Sequence, residues 1–228
     1  MSGSLSPRLD ILPLAQQRLW PELRAVASFG FVLYGGTAVA LRFGHRVSVD
    51  FDFFSAKPLA STELQAAFPF MRNSTVLQDT PDALSLLVPF GNSEHTHVKV
   101  SFFGSIDFGR VGIPDMTDDG VMYIASLDDL LATKVKVILQ RIEAKDYRDL
   151  AAMLAAGANL SRGLAAARTL FGTAFQPSES LKAMVYFKGG DLHTLSAEEK
   201  NLIIEAVSAV RDLPEVPILA HELTAFGE

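Results

Sequence analysis

The chain has 228 residues, 49% of them hydrophobic and 20% charged, the composition of a globular protein with room for one large domain or two small ones. It contains no cysteine, so disulfide frameworks and thiolate chemistry are excluded, and a net charge of −6 speaks against a broad nucleic-acid surface. No apolar run approaches the roughly 18 residues of a membrane span, and the opening MSGSLSPRLDILPLAQQRLW lacks a basic region followed by an apolar one, so a soluble, cytoplasmic protein with no membrane contact is expected.

Residues 9–29 carry apolar positions at helical spacing (Ile11, Leu14, Leu19, Leu23, Val26), and Pro21 inside the run should kink or restart that helix. The apolar run Phe31 to Tyr34 reads as a buried strand, which Gly35-Gly36-Thr37 turns into a helical segment of about two turns. Val47 to Phe53 has period 2 and predicts a strand, with Asp50 and Asp52 on one face and Val49, Phe51 and Phe53 on the other. Pro58 to Phe70 reads as a short helix capped by Ser61-Thr62. Strands are expected over 74–77, 83–89 and 97–103, with turn chemistry at Asp79 to Asp82 and at Gly91-Asn92. Gly109 to Gly120 is rich in Gly, Pro and Asp, shows little periodicity, and marks a subdomain boundary.

Beyond it the pattern is helical. Ser126-Leu127-Asp128-Asp129 is a helix start, with Ser126 capping and two acids meeting the helix dipole. Helices are predicted over 127–142, 144–156, 161–171, 178–187 and 196–212, with Gly157, Gly172 and Gly189-Gly190 at the breaks. The expected class is α+β, a mixed sheet with helices followed by a helical bundle.

A glycine pair opening a helix and followed by a hydroxyl residue favours phosphate, through free backbone N–H groups and the positive end of the helix. Gly35 and Gly36 allow close approach, and Thr37 adds a hydroxyl donor. Asp50 and Asp52 side by side repel each other unless a cation lies between them, and carboxylates with substrate phosphates suit Mg²⁺ (or Mn²⁺). The combination reads as a nucleoside triphosphate with its tail on the turn and its metal on the two acids. Arg46 and Ser48, between that turn and the acids, are candidate nucleotide contacts, whereas His45 reads as a loop residue. His95 and His97 alternate on one strand face but lack a third ligand and read as solvated.

In the helical half, Leu127, Leu130, Leu131 and Ile138 share a face on which Lys134 and Arg141 also fall. Asp146 lies one turn before Leu150 on the inward side of the next helix. Charged groups on inward faces are costly unless paired or functional. One reading is a Lys134/Arg141–Asp146 ion pair joining the two helices. The other puts Lys134 and Arg141 against the nucleotide phosphates and Asp146 near the metal or the acceptor. Both can hold at once.

The pattern Gly35-Gly36-Thr37 … Asp50-Phe51-Asp52 resembles the signature of the DNA polymerase β-like nucleotidyltransferases, and GGTAVALRFGHRVSVDFDFF is similar to the AbiEii/AbiGii toxin family within it. SLDDLLATKVKVILQRIEAKDYRDL resembles that family as well, so the likeness runs over roughly residues 31–155. The resemblance implies a nucleotidyltransferase α/β core over 1–120 and a helical subdomain over 121–228 that closes the nucleotide cleft. It implies transfer of an NMP from a Mg-NTP to an acceptor hydroxyl, on an RNA end such as tRNA or on a protein, with an antitoxin as possible partner. Asp50, Asp52, Lys134 and Asp146 would be catalytic. Transferases of this kind often carry a third carboxylate on a later strand; the matching strand here, 97–103, offers Lys99 or Ser101 and no acid. Asp146 or Asp149 would then substitute, or the protein would bind nucleotide with weakened catalysis.

Overall fold

The computed structural model describes residues 3–90 and 97–225, so the expected Gly91-Asn92 turn and His95 lie outside the described residues. The backbone divides into two compact units, Met1–Gly109 with Ile113–Ala125 and His221–Glu228, and Arg110–Gly112 with Ser126–Ala220.

The first unit carries, in chain order, β1 (Ser4–Leu5), α1 (Leu14–Leu19), β2 (Val32–Tyr34), α2 (Gly35–Phe43), β3 (Asp50–Phe54), α3 (Ser61–Ala67), β4 (Thr75–Thr80), β5 (Ala83–Pro89), β6 (His97–Phe103), β7 (Asp115–Thr117) and β8 (Tyr123–Ile124). Its strands form an eight-stranded sheet in the order β1-β7-β8-β2-β3-β6-β5-β4. The sheet is mixed: β2 and β3 are antiparallel, β3 and β6 parallel, and β5 antiparallel to both β6 and β4. Strand β3 lies inside the sheet and alternates as its sequence demands. Phe51 and Phe53 are fully buried on one face, where Phe53 stacks on Phe102 with ring centroids 5.4 Å apart. Each such phenylalanine contributes about 1.5–3 kcal/mol by leaving water. Asp50, Asp52 and Phe54 are half-buried on the other face.

One local expectation holds and several are corrected. Pro21 does restart the first helix: α1 ends at Leu19 and a 3-10 segment runs from Trp20 to Phe29. Strand β3 begins at Asp50 rather than Val47, and Val47 and Val49 are exposed instead of joining Phe51 in the core. Here side chains reach the backbone: Gln16 Nε2 donates to the Val49 carbonyl at 2.7 Å, and the Thr37 hydroxyl donates to that of Asp50. Ser61 is the first residue of α3 and caps nothing, while Pro69 ends the helical reading by opening a 3-10 turn. The span 109–120 is less irregular than its composition implies, because Asp115–Thr117 joins the sheet as β7.

The second unit is helical: α4 (Leu127–Val137), α5 (Ala144–Ala155), α6 (Leu160–Phe171), α7 (Pro177–Val185) and α8 (Ala197–Ala209). Ser126 caps α4 as read, accepting from the Asp129 N–H. Helix α4 stops at Val137, so Arg141 lies in the α4–α5 connection and not on the helical face assigned to it. Gly163 on α6 faces α4 so closely that a Cβ there would meet Leu131 at 2.4 Å. Asp129 is 1% exposed and ties the segment 110–112 to α4, accepting from the N–H groups of Val111 at 2.8 Å and Gly112 at 3.2 Å. Burial pushes the Asp129 carboxyl up, and those hydrogen bonds, with that from Ser126, offset it only in part.

Candidate active site

The first cluster is built where β2 hands over to α2. Gly35 has φ +73°, a left-handed conformation that a side chain would strain, and a Cβ there would sit 3.1 Å from Asp52 Oδ2. The glycine thus lets the start of α2 close on the carboxylate. Thr37, 3% exposed, bonds the Ser48 hydroxyl at 2.7 Å and donates to the Asp50 carbonyl. This fixes Asp50 to the first turn of α2. Ser48 is itself buried and serves that brace, while Arg46 donates from Nη1 to the neighbouring Val47 carbonyl at 3.0 Å. Gly35, Gly36, Asp50 and Asp52 therefore lie in one short stretch, with Thr37 and Ser48 buried beneath it as its brace and not as free donors to a ligand, and Arg46 on the loop that leads into it.

The parallel pairing of β3 with β6 decides what stands beside the two acids. Asp50 is in register with Lys99 and Asp52 with Ser101. Ser101 is fully buried and accepts a hydrogen bond from the Ser85 hydroxyl at 3.2 Å. No acid occupies that neighbouring strand, and among the described residues no group of three His, Cys, Asp or Glu side chains is arranged to hold a metal. Asp50 and Asp52, half-buried on one face, are a donor set that fits Mg²⁺ when substrate phosphates complete its oxygen shell.

The second cluster lies within the helical unit. Lys134, projecting from α4 and 3% exposed, places Nζ 2.7 Å from Asp146 Oδ1 and 2.5 Å from Asp149 Oδ2. Both carboxylates come from one face of α5, one turn apart, and neither is exposed. Arg141 grips Asp146 with two parallel bonds, Nε to Oδ2 at 2.7 Å and Nη2 to Oδ1 at 3.0 Å. Burial pushes the Asp146 carboxyl up, but the hydrogen bond from Arg141 and the charge of Lys134 outweigh it and hold its pKa below the ordinary range. The ion network joining the two helices is thus present, with two cations balancing two anions.

The sequence profile of the family described as nucleotidyl transferase AbiEii toxin, type IV toxin–antitoxin system, matches residues 25–222. The chain belongs to the AbiEii nucleotidyltransferase toxin family. An uncharacterized protein of Aquifex aeolicus (strain VF5) is 33% identical over 134 residues, 56% of this chain; the match spans 61% of that relative's length. A candidate nucleotidyltransferase from H. pylori has a similar fold, with TM-score 0.59 at 19% identity over 85% of this chain and 92% of its own. MenT4, a nucleotidyltransferase toxin from Mycobacterium tuberculosis H37Rv, aligns with TM-score 0.50 and 11% identity over 84% of this chain and 91% of its own. No helix of the AbiEii-family chain is long and apolar enough to cross a membrane among the described residues.

For this AbiEii-family protein the sequence names Asp149 only as an alternative to Asp146, whereas the two carboxylates share Lys134. The signal was available, since Asp146 and Asp149 are three residues apart on one helical face. The resemblance did point to Lys99 or Ser101 on the 97–103 strand, and the pairing bears that out; which of them meets which acid is set by register, a tertiary property.

Proposed function

We propose that the protein transfers an NMP from a Mg-NTP to an acceptor hydroxyl, as a toxin acting in the cytoplasm and restrained by an antitoxin partner. The observation that carries the reading is the contact between Gly35 and Asp52, which joins a phosphate-binding helix start to a pair of carboxylates. The N–H groups at the start of α2 would receive the phosphate tail, and the glycines would let it reach the backbone. Asp50 and Asp52 would hold Mg²⁺, which when bound neutralises charge on the phosphates during an in-line displacement. Thr37 keeps the Asp50 backbone fixed while the phosphates bind.

Lys134, Arg141 and Asp146 enter the proposal in second place. Lys134 is buried and committed to two carboxylates, whereas the Arg141 side chain is 45% exposed, so of the two cations Arg141 is the one a phosphate can approach. The acceptor is an RNA end, tRNA in particular, or a protein hydroxyl.

A second reading, a nucleotide-binding regulatory protein of the same fold, is favoured by one observation: Ser101 stands where a third acid would sit. Isothermal titration with Mg-NTPs, wild type against Asp50→Ala, tests the common part. Mg-dependent binding that the substitution removes supports the site; no binding by either protein defeats it. Incubating labelled NTPs with total tRNA and protein pools then separates the two readings. Label on either pool supports transfer, and binding without labelling favours the regulatory protein.

A further inference from the structure

Beyond Asp52 the carboxylate face of the sheet runs into a group of aromatic rings that phosphate and metal binding leave unused. Phe54 follows Asp52 by two residues, so the two side chains leave the same face of β3 about 7 Å apart. Tyr34, in register with Asp52, stacks on Phe54 with centroids 5.0 Å apart and planes 14° from parallel. Phe103, the register partner of Phe54 on β6, meets it edge-on at 5.1 Å. Phe108, from the loop after β6, lies 6.4 Å from Phe54 and 6.3 Å from Tyr34.

The two faces of β3 treat their aromatic residues differently. Phe51, Phe53 and Phe102 on the core face are fully sealed, at 0% exposure. Tyr34 is nearly sealed at 2%, yet Phe54 and Phe108, which pack on it, and Phe103, which packs on Phe54, each keep part of their surface in water. Leaving three large rings partly wet beside two carboxylates forgoes apolar burial that the core face takes in full.

We propose that Phe54, Phe103 and Phe108 are the platform on which the base of the nucleoside triphosphate stacks; this rests on the nucleotidyltransfer reading above. The candidate contacts run in one order along β3: Thr37 beside Asp50, Gly35 beside Asp52, then the rings at Phe54. A nucleotide has the same order, with phosphates, ribose and base, and the ribose spans the step from Asp52 to Phe54. The three phenylalanines offer π-faces and no hydrogen-bonding group, so they rank bases by stacking area. Purines bind ahead of pyrimidines, with little discrimination within each class.

The test titrates wild type, Phe108→Ala and Phe108→Trp with Mg-ATP, Mg-CTP and Mg-tripolyphosphate, which has neither base nor sugar. Wild type binds ATP on the order of tenfold more tightly than tripolyphosphate, with CTP between them. Phe108→Ala loses most of that ratio at unchanged tripolyphosphate affinity, which also reports an intact phosphate site, and Phe108→Trp keeps it. The platform is overturned, with the phosphate and metal site left standing, if Phe108→Ala preserves the ATP-to-tripolyphosphate ratio or if wild type shows none. Failure of all three ligands to bind wild type overturns the nucleotidyltransfer reading itself.

Discussion

Replacing Lys134 by methionine probes the charge network at the centre of the helical unit. The Lys134 side chain is 4% exposed and those of Asp146 and Asp149 are 0%, so solvent screens none of the three. The substitution keeps the volume of the stem and removes the ammonium, leaving two buried carboxylates with Arg141 as their remaining cation in the set. Breaking a buried pair in this way costs about 3–5 kcal/mol, because desolvated carboxylates lose the cation they share. In a chain of this size each 1 kcal/mol moves the thermal midpoint by roughly 2–4 °C, so Lys134→Met should melt on the order of 10 °C lower. Thermal unfolding followed by circular dichroism measures it. Adding Asp149→Leu to Lys134→Met should recover part of the loss, since one of the two buried carboxylates is then gone. The acid limb gives a second readout. The folded Asp146 pKa is depressed, so its contribution is present above the unfolded carboxylate value, about 4, and is lost as pH falls through the lower folded value. Without Lys134 that loss should begin at higher pH. A midpoint within about 2 °C of wild type, with an unchanged acid limb, would show that the network carries no net energy.

Three further substitutions test other contacts. Gly35→Ala places a side chain at φ +73° and 3.1 Å from Asp52 Oδ2, so it should cost about 1–2 kcal/mol and weaken Mg-NTP binding beyond that loss; unchanged affinity in titration would refute the close approach. Thr37→Val removes the brace to Ser48 and the Asp50 carbonyl, with an expected cost of about 1–3 kcal/mol in urea unfolding; a neutral result would mean the two acids are held in other ways. Asp129 has its folded pKa raised above the unfolded one, so folding favours its protonated form and that contribution fades as pH rises from the unfolded value through the folded one. Asp129→Asn should therefore flatten the fall in stability across that window, and parallel wild-type and mutant profiles of urea midpoint against pH would contradict the assignment.

The local signals in the sequence were sound where one side chain or one strand decides the outcome. Alternation alone put Asp50 and Asp52 on one face of β3 and Phe51 and Phe53 on the other, because the side-chain period of a strand is fixed at 2. Ser126 announced the start of α4, since a hydroxyl two or three residues before free N–H groups is itself the cap. The glycine pair and Pro21 likewise acted through their own backbone restrictions. Composition and motif together were enough for the family and the α+β class.

What the sequence could not carry were the meetings between distant segments. Val47 to Val49 alternates like a strand, but it lies outside the ladder, and the Val49 carbonyl is bonded by Gln16, 33 residues away. Arg141 looked helical by spacing, yet α4 ends first and the side chain turns to Asp146. Lys99 and Ser101 stand beside Asp50 and Asp52, and Phe103 beside Phe54, only because β6 pairs parallel with β3 in one register. A shift of one residue would send every one of those side chains to the opposite face. Sequence determined which residues could bind phosphate and metal, and that the strand 97–103 brings no acid to them; the register of the sheet decided that Lys99, Ser101 and Phe103 are what stand beside Asp50, Asp52 and Phe54, because pairing between distant strands is settled only in the folded sheet.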